Sequence, residues 1–123
     1  MKKCKRDSVF AVYLDPPWNG SYSYSPDIPF SLDNLGVPIL ALSENAFFIA
    51  TVVAIKLPVS FIREEIETLT KVFCCNALIE HHRIIGFSEA LQQTTVYLTK
   101  SDRPPFMVTE QKVRLHQKFS TLL

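Results

Sequence analysis

The sequence VFAVYLDPPW, residues 9–18, decides the predicted fold. Its first part, VFAVYL, is apolar and rich in β-formers, which predicts a buried strand of the parallel type. The strand is expected to end at Pro16 and Pro17, because proline cannot donate a hydrogen bond to a sheet ladder. An acidic side chain, Asp15, is therefore expected at the carboxyl end of a strand, with Trp18 just beyond a rigid turn.

The middle of the chain predicts helices that alternate with strands. Residues 31–45 are expected to be helical in two pieces, the second opened by Pro38. The apolar run FFIATVVAIKL, residues 47–57, predicts a second central strand. Ser60 has the position of an N-cap, so a helix is expected from there to about Phe73, with two glutamates in its first turns.

The last part of the chain predicts two strands and a tail. Residues 76–85 and 94–99 are expected to pair antiparallel, because the connection between them is too short for a parallel crossover. A linker is predicted at residues 101–105, followed by a basic amphipathic helix from Thr109 to about Leu122. The whole order is typical of the C-terminal half of an α/β sheet that is closed by an antiparallel hairpin.

Composition limits the classes of protein to which the chain can belong. With 123 residues, 47% of them hydrophobic, we expect one domain with a real core rather than a disordered chain. A net charge of +1 excludes nucleic-acid binding through the charge of the whole molecule, although local basic patches can still act. No apolar run is long enough to span a membrane, and three cysteines do not form a disulfide framework, so a reducing intracellular compartment is expected.

We divide the chain into a basic segment, residues 1–8, an α/β region, residues 9–100, and a tail, residues 101–123. Basic side chains at the two ends can steer RNA phosphates, although solvated termini are the simpler explanation. These side chains are Lys2, Lys3, Lys5 and Arg6 at the start and Lys112, Arg114, His116 and Lys118 in the tail. The apolar positions of the tail can equally cover an exposed edge of the sheet.

The segment Asp15-Pro16-Pro17-Trp18 carries the groups that an exocyclic base amine needs for binding. Open α/β sheets bind ligands beyond the carboxyl ends of their strands, where Asp15 is expected. The Asp15 carboxylate and the Pro16 carbonyl can accept the two N–H bonds of the amine, and Trp18 offers a flat stacking surface. The alternative is that Asp15 caps a turn and Trp18 packs in the core.

This tetrapeptide resembles the Asp/Asn/Ser-Pro-Pro-aromatic motif of the amino-methyltransferases that use S-adenosylmethionine. Two branches of that group carry tryptophan, namely the adenine-N6 methyltransferases of the messenger-RNA type and the trimethylguanosine synthases, which methylate N2 of a 7-methylguanosine RNA cap. The chain is more similar to the second branch over about residues 7–99. Asn19-Gly20 stand at its Gly-Gly pair, Leu57-Pro58 matches the end of its fifth strand, and Thr95-Val96-Tyr97 matches its closing strand.

The resemblance implies a partial Rossmann-like methyltransferase fold in a nuclear protein that acts on 7-methylguanosine-capped RNA, with S-adenosylmethionine as the cofactor. The catalytic residues that it implies are Asp15, Pro16 and Pro17, which would hold the N2 amine beside the methyl donor. Asp15 would therefore also contact the cofactor, and Trp18 would stack on the cationic methylated purine. The cap contacts that it implies are Trp18, Asn19, Gly20 and Lys56, the last through the cap phosphates, although a solvated strand-end lysine is the simpler explanation.

The sequence departs from the family pattern in two places. Asn19 replaces the first glycine of the Gly-Gly pair. The acidic, glycine-rich cofactor turn has no counterpart in a chain whose glycines are Gly20, Gly36 and Gly86. A half-sheet cannot enclose the cofactor unaided, so the chain is expected to be truncated, to need a partner chain that completes the sheet, or to be inactive. Three hypotheses stay open: a cap guanosine-N2 methyltransferase, an adenine-N6 methyltransferase of RNA or DNA, and a silent remnant that binds the cap or a partner.

Two further groups of residues suggest chemistry but are explained more simply. The segment EHHR, residues 80–83, is predicted to lie on a strand, where His81 and His82 point to opposite faces and cannot easily share a metal ion. We expect structural or surface roles for them. The adjacent Cys74 and Cys75 lack the spacing of a zinc site and are expected to be partly buried.

Overall fold

A computed structural model of the chain describes residues 10–15, 29, 31–35, 38–58, 60–85 and 90–116. The elements in chain order are β1 (Ala11–Leu14), a 3₁₀ turn (Leu32–Leu35), α1 (Ile39–Ile49), β2 (Val52–Leu57), α2 (Arg63–Phe73), β3 (Cys75–Ile85), β4 (Ala90–Lys100) and β5 (Val108–His116). The described part of the chain is therefore an α/β structure, as the sequence predicts. None of its helices has the length and apolarity that crossing a membrane requires.

The five strands form one mixed sheet in the order β1-β2-β4-β3-β5. β1 is parallel to β2 and β5 is parallel to β3, while β4 runs antiparallel to both of its neighbours. Four strands therefore point in the same direction, and we call the side at which they finish the carboxyl end of the sheet. β3 and β4 pair antiparallel, which confirms the pairing predicted for the strands at residues 76–85 and 94–99.

One face of the sheet carries the hydrophobic core. Alternate residues of the central strands, among them Val53, Ile55 and Leu98, are fully buried in one cluster with Phe47 of α1 and Ile66 of α2. Both α-helices therefore pack on the same face. The residues that alternate with these along the strands form the opposite face, which we call the open face because neither described α-helix packs against it.

Helix α2 confirms the predicted helix but not its predicted N-cap. The N-cap is Ile62, which makes no side-chain capping bond, and the buried hydroxyl of Ser60 has no hydrogen-bond partner in the described part of the chain. Glu65, in the first turn, instead accepts hydrogen bonds from the Ser31 hydroxyl and the Leu32 backbone N–H, both at 2.8 Å. These two bonds fasten the 3₁₀ turn to the start of α2.

The predicted strand over residues 47–57 was wrong at its beginning, because α1 continues to Ile49 and β2 starts only at Val52. Ala46 and Phe47 are only 6% and 4% exposed, so the helix buries this turn against the core. The helix closes where the Ala50 N–H donates to the Ala46 carbonyl at 3.0 Å. Packing on the sheet thus decides the state of a segment whose composition favours a strand.

The predicted amphipathic helix in the tail was wrong. Residues 108–116 form β5, which pairs with β3 from Ala77 to Ile85. The strand begins where the Met107 N–H donates to the Asn76 side-chain oxygen and the Ala77 N–H donates to the Met107 carbonyl, both at 2.8 Å. The hydrogen bonds that the backbone of β5 forms with the edge of β3 stabilise a strand more than the helical spacing of the apolar side chains stabilises a helix.

Strand β1 was predicted to be buried and central, but it lies at the side of the described sheet. Among the described strands it pairs only with β2. Phe10 and Tyr13 are 80% and 56% exposed, and Val12 and Leu14 are only half-buried. The apolar run alone did not reveal this position, because it fits an edge and a centre equally well.

Candidate functional site

The carboxyl end of the sheet brings Asp15 beside Lys56. Asp15 is exposed and directly follows β1, as the two prolines predict, and Lys56 is the half-buried penultimate residue of β2. Leu14 is paired with Ile55 in the parallel register of the two strands, so the following residues, Asp15 and Lys56, are neighbours across the strands. The pair places a carboxylate and an ammonium group where open α/β sheets bind ligands.

The remaining residues of the predicted site have no described position. Pro16, Pro17, Trp18, Asn19 and Gly20 lie outside the described residues. Asp15 and Lys56 are therefore the two predicted site residues that the structure brings together.

Polar side chains continue from Lys56 across the open face. Lys56 pairs with Thr95 of β4, and Thr95 pairs with Glu80 of β3, so these side chains form one row across three strands. Tyr13 of β1 lies in the neighbouring row and is hydrogen-bonded to Thr95. Burial raises the pKa of Tyr13, and the negative charge of Asp15 raises it further. The Tyr13 hydroxyl is therefore a neutral hydrogen-bonding group at ordinary pH.

Glu80 is the centre of this polar row. Its carboxylate contacts His82 Nε2 at 2.7 Å and accepts a hydrogen bond from Gln111 Nε2 at 2.6 Å, and it is also hydrogen-bonded to Tyr97. The bond to His82 contributes most to lowering the pKa of Glu80, against the opposing effect of burial. Burial raises the pKa of Tyr97, as do the charge of Glu80 and the hydrogen bond to it. Glu80 is thus held as a carboxylate whose partners occupy both of its oxygens.

His81 belongs to a second, separate cluster on the helix face. Its Nε2 lies 2.7 Å from a Glu110 oxygen and its Nδ1 lies 3.2 Å from the Thr94 hydroxyl. Arg63 also pairs with Glu110, and the ring of Phe61 stacks on the imidazole at 6.0 Å between centroids. The hydrogen bond from His81 is the main reason that the pKa of Glu110 is lowered.

His81 contacts the Thr94 hydroxyl on one side and the Glu110 carboxylate on the other, which is the order of groups in a hydroxyl–imidazole–carboxylate catalytic triad. Thr94 is 0% exposed, however, so its hydroxyl cannot meet a substrate. We therefore assign the cluster a structural role. His81 and His82 bind different carboxylates, in agreement with their predicted opposite faces.

The described part of the chain contains no metal site and no reactive buried cysteine. No group of three or more His, Cys, Asp or Glu side chains within it is arranged to hold a metal ion. Cys75 is buried, and this burial raises the pKa of its thiol to about 11. Its thiol donates to the Leu69 carbonyl at 3.8 Å, whereas Cys74 is exposed. A thiol with so high a pKa is a poor nucleophile at neutral pH.

The polar row of the open face could not be recognised in the sequence. Tyr13, Thr95, Tyr97 and Gln111 were not singled out as site residues, because each is ordinary for a strand when taken alone. The signal that could have found them is the alternation of buried and polar residues in β4 combined with its register against Lys56. That register depends on long-range pairing, which a single sequence does not show.

The chain matches no family model, no curated protein and no solved structure. The family suggested by the tetrapeptide therefore remains a prediction.

Proposed function

We propose that this chain carries the base-holding part of a methyltransferase site that acts on the N2 amine of a 7-methylguanosine RNA cap. The observation that carries the proposal is the position of Asp15. This exposed carboxylate directly follows a strand at the carboxyl end of the sheet and lies beside Lys56 of the parallel neighbour. Such a place is where open α/β sheets bind ligands, and in the sequence Asp15 is followed by Pro16-Pro17-Trp18.

The chemistry asked of these residues is binding and orientation. Asp15 accepts one N–H bond of the guanine amine and the Pro16 carbonyl accepts the other, which directs the nitrogen lone pair toward the methyl donor. Correct placement of the two reactants supplies most of the rate in a transfer of this kind. Trp18 stacks on the cationic purine, which adds a cation–π attraction to the stacking energy. Lys56, beside Asp15, attracts the cap phosphates.

The topology of the sheet gives independent support. β1 and β2 are parallel, with α1 between them in the chain, and β4 is inserted antiparallel next to β2. The resemblance implies a partial Rossmann-like sheet that ends in a hairpin of this type. Thr95-Val96-Tyr97, which resembles the closing strand of the family, lies in β4.

The residues present do not fit a complete S-adenosylmethionine site. The sequence that connects β2 to α2, residues 58–62, contains no glycine and so lacks the composition of the glycine-rich turn that such cofactors use. Asp15 is the one cofactor contact that the resemblance assigns to the chain. We therefore expect the 123-residue chain alone to bind the methylated purine without transferring methyl groups, and a partner chain that completes the sheet to supply the remaining contacts.

The test is a titration of the chain with 7-methylguanosine diphosphate, in which binding is monitored by the quenching of the fluorescence of the single tryptophan, Trp18. Stacking worth about 1–3 kcal/mol predicts that Trp18→Ala weakens binding, measured by calorimetry, by about 5- to 150-fold. Asp15→Asn is expected to weaken binding as well, because the amine loses its charged acceptor. Asp33→Asn, at an exposed aspartate of the 3₁₀ turn, is the matched control and should have no effect.

The ligands used in the titration separate the competing functions. Guanosine diphosphate lacks the methyl group and its positive charge, so it is expected to bind more weakly than the methylated form. Preference for adenosine diphosphate would favour the adenine-N6 alternative. An unchanged affinity in Trp18→Ala would remove the stacking role and with it the proposal.

A further inference from the structure

A basic cavity opens beside the later halves of β3 and β5. It has a volume of about 500 Å³, and its lining includes His81, Arg83, Gln93, Lys112 and Arg114. Sequence positions 31 residues apart meet here because β5 runs parallel to β3. The helix that the sequence predicts for the tail would not have formed this cavity.

The cavity concentrates positive charge, and no carboxylate of the described part of the chain pairs with its two arginines. Arg83 lies directly opposite Arg114 in the register of the two strands. Like charges in directly opposed positions destabilise a sheet. Within the described part of the chain neither arginine forms an ion pair, and both are exposed.

Among the residues that the structure describes, the carboxylates near the cavity are already engaged elsewhere. Glu110 is shared between His81 and Arg63, with Lys112 close enough to lower the pKa of its carboxyl. Glu80 is held by His82 and other side chains of the open face. The two arginines therefore line the cavity without a carboxylate partner among the described residues.

The cavity lies at the same end of the sheet as Asp15. β1, β2, β3 and β5 all point in one direction, so the later halves of β3 and β5 approach the end at which β1 finishes. Four strand spacings separate β1 from β5, which corresponds to roughly 19 Å across the sheet. Arg83 and Arg114 share the face of His81, whereas Lys56 lies on the open face, so an RNA strand that begins at Asp15 crosses the carboxyl end of the sheet to reach the arginines.

We propose that Arg83 and Arg114, assisted by Lys112, bind backbone phosphates of the RNA that follows the cap. The identity of the ligand as RNA rests on the proposed function, whereas the need for a phosphate-bearing anion rests on the cavity. Guanidinium groups suit this task because their planar donors bind phosphate oxygens in pairs. Gln93, which pairs with His82 and shares its face of the sheet, also lines the cavity with a neutral amide.

The experiment measures the binding of three ligands to the chain: 7-methylguanosine diphosphate, a short uncapped RNA and the same RNA with its cap. The double variant Arg83→Gln/Arg114→Gln is expected to lower the affinity for both RNAs by about tenfold or more, because charge-assisted hydrogen bonds are lost. It should leave the affinity for the cap diphosphate unchanged. Arg103→Gln, at an exposed arginine of the β4–β5 connection, is the matched control and should behave as the unaltered chain.

A salt titration provides a second measurement. For single strands, the slope of log affinity against log salt is expected to fall by about 0.7 for each phosphate contact that the double variant loses. Thermal melting of the double variant shows whether it is folded, and removal of the opposed like charges predicts that it is no less stable. Unchanged RNA affinity and salt slope in the folded double variant would overturn the inference.

Failure of this inference and failure of the proposed function give different results. If the cap diphosphate binds through Trp18 while the affinity for uncapped RNA does not depend on the arginines, the proposed phosphate contacts are wrong and the proposed function stands. If uncapped RNA depends on the arginines while the cap adds no affinity, the cavity binds RNA and the proposed cap site is wrong.

Discussion

Glu80 shows how one residue can hold a polar face together. Its carboxylate joins His82 on its own strand, Gln111 on β5 and Tyr97 on β4, so three adjacent strands share one negative charge. Because these bonds favour the charged form, the pKa of Glu80 is lowered from its ordinary value. A lowered carboxyl pKa in the folded chain is a contribution to stability that depends on pH.

The variant Glu80→Gln tests this contribution. The stabilisation is present above the ordinary carboxyl pKa, about 4.3, and is lost as the pH falls through the lowered value of the folded chain. At neutral pH the free energy of unfolding is expected to drop by about 1–2 kcal/mol, because a charged acceptor of several bonds becomes neutral.

Denaturant unfolding at neutral pH and below pH 4 measures the effect. The difference between Glu80→Gln and the unaltered chain should shrink as the pH falls. Glu44→Gln, at an exposed glutamate of α1, serves as the matched control and should change little at either pH. A loss that stays constant with pH would assign the role of Glu80 to packing rather than to charge.

At the scale of residues, the sequence predicts positions better than partners. It places Asp15 correctly beyond β1, since proline chemistry is local. It also predicts the opposite faces of His81 and His82, since strand alternation is local. The partners of these residues could not be predicted, because Glu110 lies 29 positions from His81 and reaches it only through the pairing of β5 with β3.

At the scale of elements, β5 is the part of the fold that differs most from its sequence pattern. The tail has apolar residues at helical spacing and basic residues between them, and its strand state depends on the edge of β3. The Ala77 N–H donates to the Met107 carbonyl, and Ala77 is paired with Val108. In a parallel ladder this alternation makes the odd-numbered N–H groups of β5 the donors toward β3, Val113 among them.

Proline substitution at two adjacent positions tests this ladder. Val113→Pro removes a donor toward β3, whereas Lys112→Pro removes an N–H that points away from the sheet. We expect Val113→Pro to lower the free energy of unfolding by about 1–3 kcal/mol more than Lys112→Pro, because a buried carbonyl of β3 loses its partner.

The measurement is again denaturant unfolding, with Val113→Ala and Lys112→Ala to account for the lost side chains. A tail that folded as a helix would be damaged similarly by both prolines, since each would remove an interior N–H. Equal losses would therefore contradict the strand.

The elements that the sequence predicts correctly are those with a strong local signal. Helix α2 has two glutamates in its first turn and an apolar stripe, and the pair β3–β4 is joined by a short connection. The end of α1 and the state of β5 were predicted wrongly, since both depend on which surface is available for packing. The apolar β-formers from Phe47 to Ile49 are helical because Phe47 packs in the core. The tail is a strand because it pairs with the edge of β3.

At the scale of the whole molecule, the two sides of the sheet differ. β5 presents charged side chains at one side, whereas β1 presents apolar ones at the other, with Phe10 and Tyr13 exposed. Charged residues protect the edge of a sheet from pairing with another chain, and apolar ones do not. The proposed site at Asp15 lies at the apolar side, which is where a partner chain would have to continue the sheet.

This asymmetry predicts that the chain associates through β1. We expect sedimentation velocity to show a rising average mass as the protein concentration increases. Phe10→Asp should abolish this rise, because a charge directly before the edge strand opposes strand pairing. The free energy of unfolding should change by less than about 0.5 kcal/mol at so exposed a position. Met107→Asp places the same charge at an exposed apolar residue before β5 and should associate like the unaltered chain. Association that persists in Phe10→Asp, or that Met107→Asp abolishes, would show that β1 is not the side at which the sheet is extended.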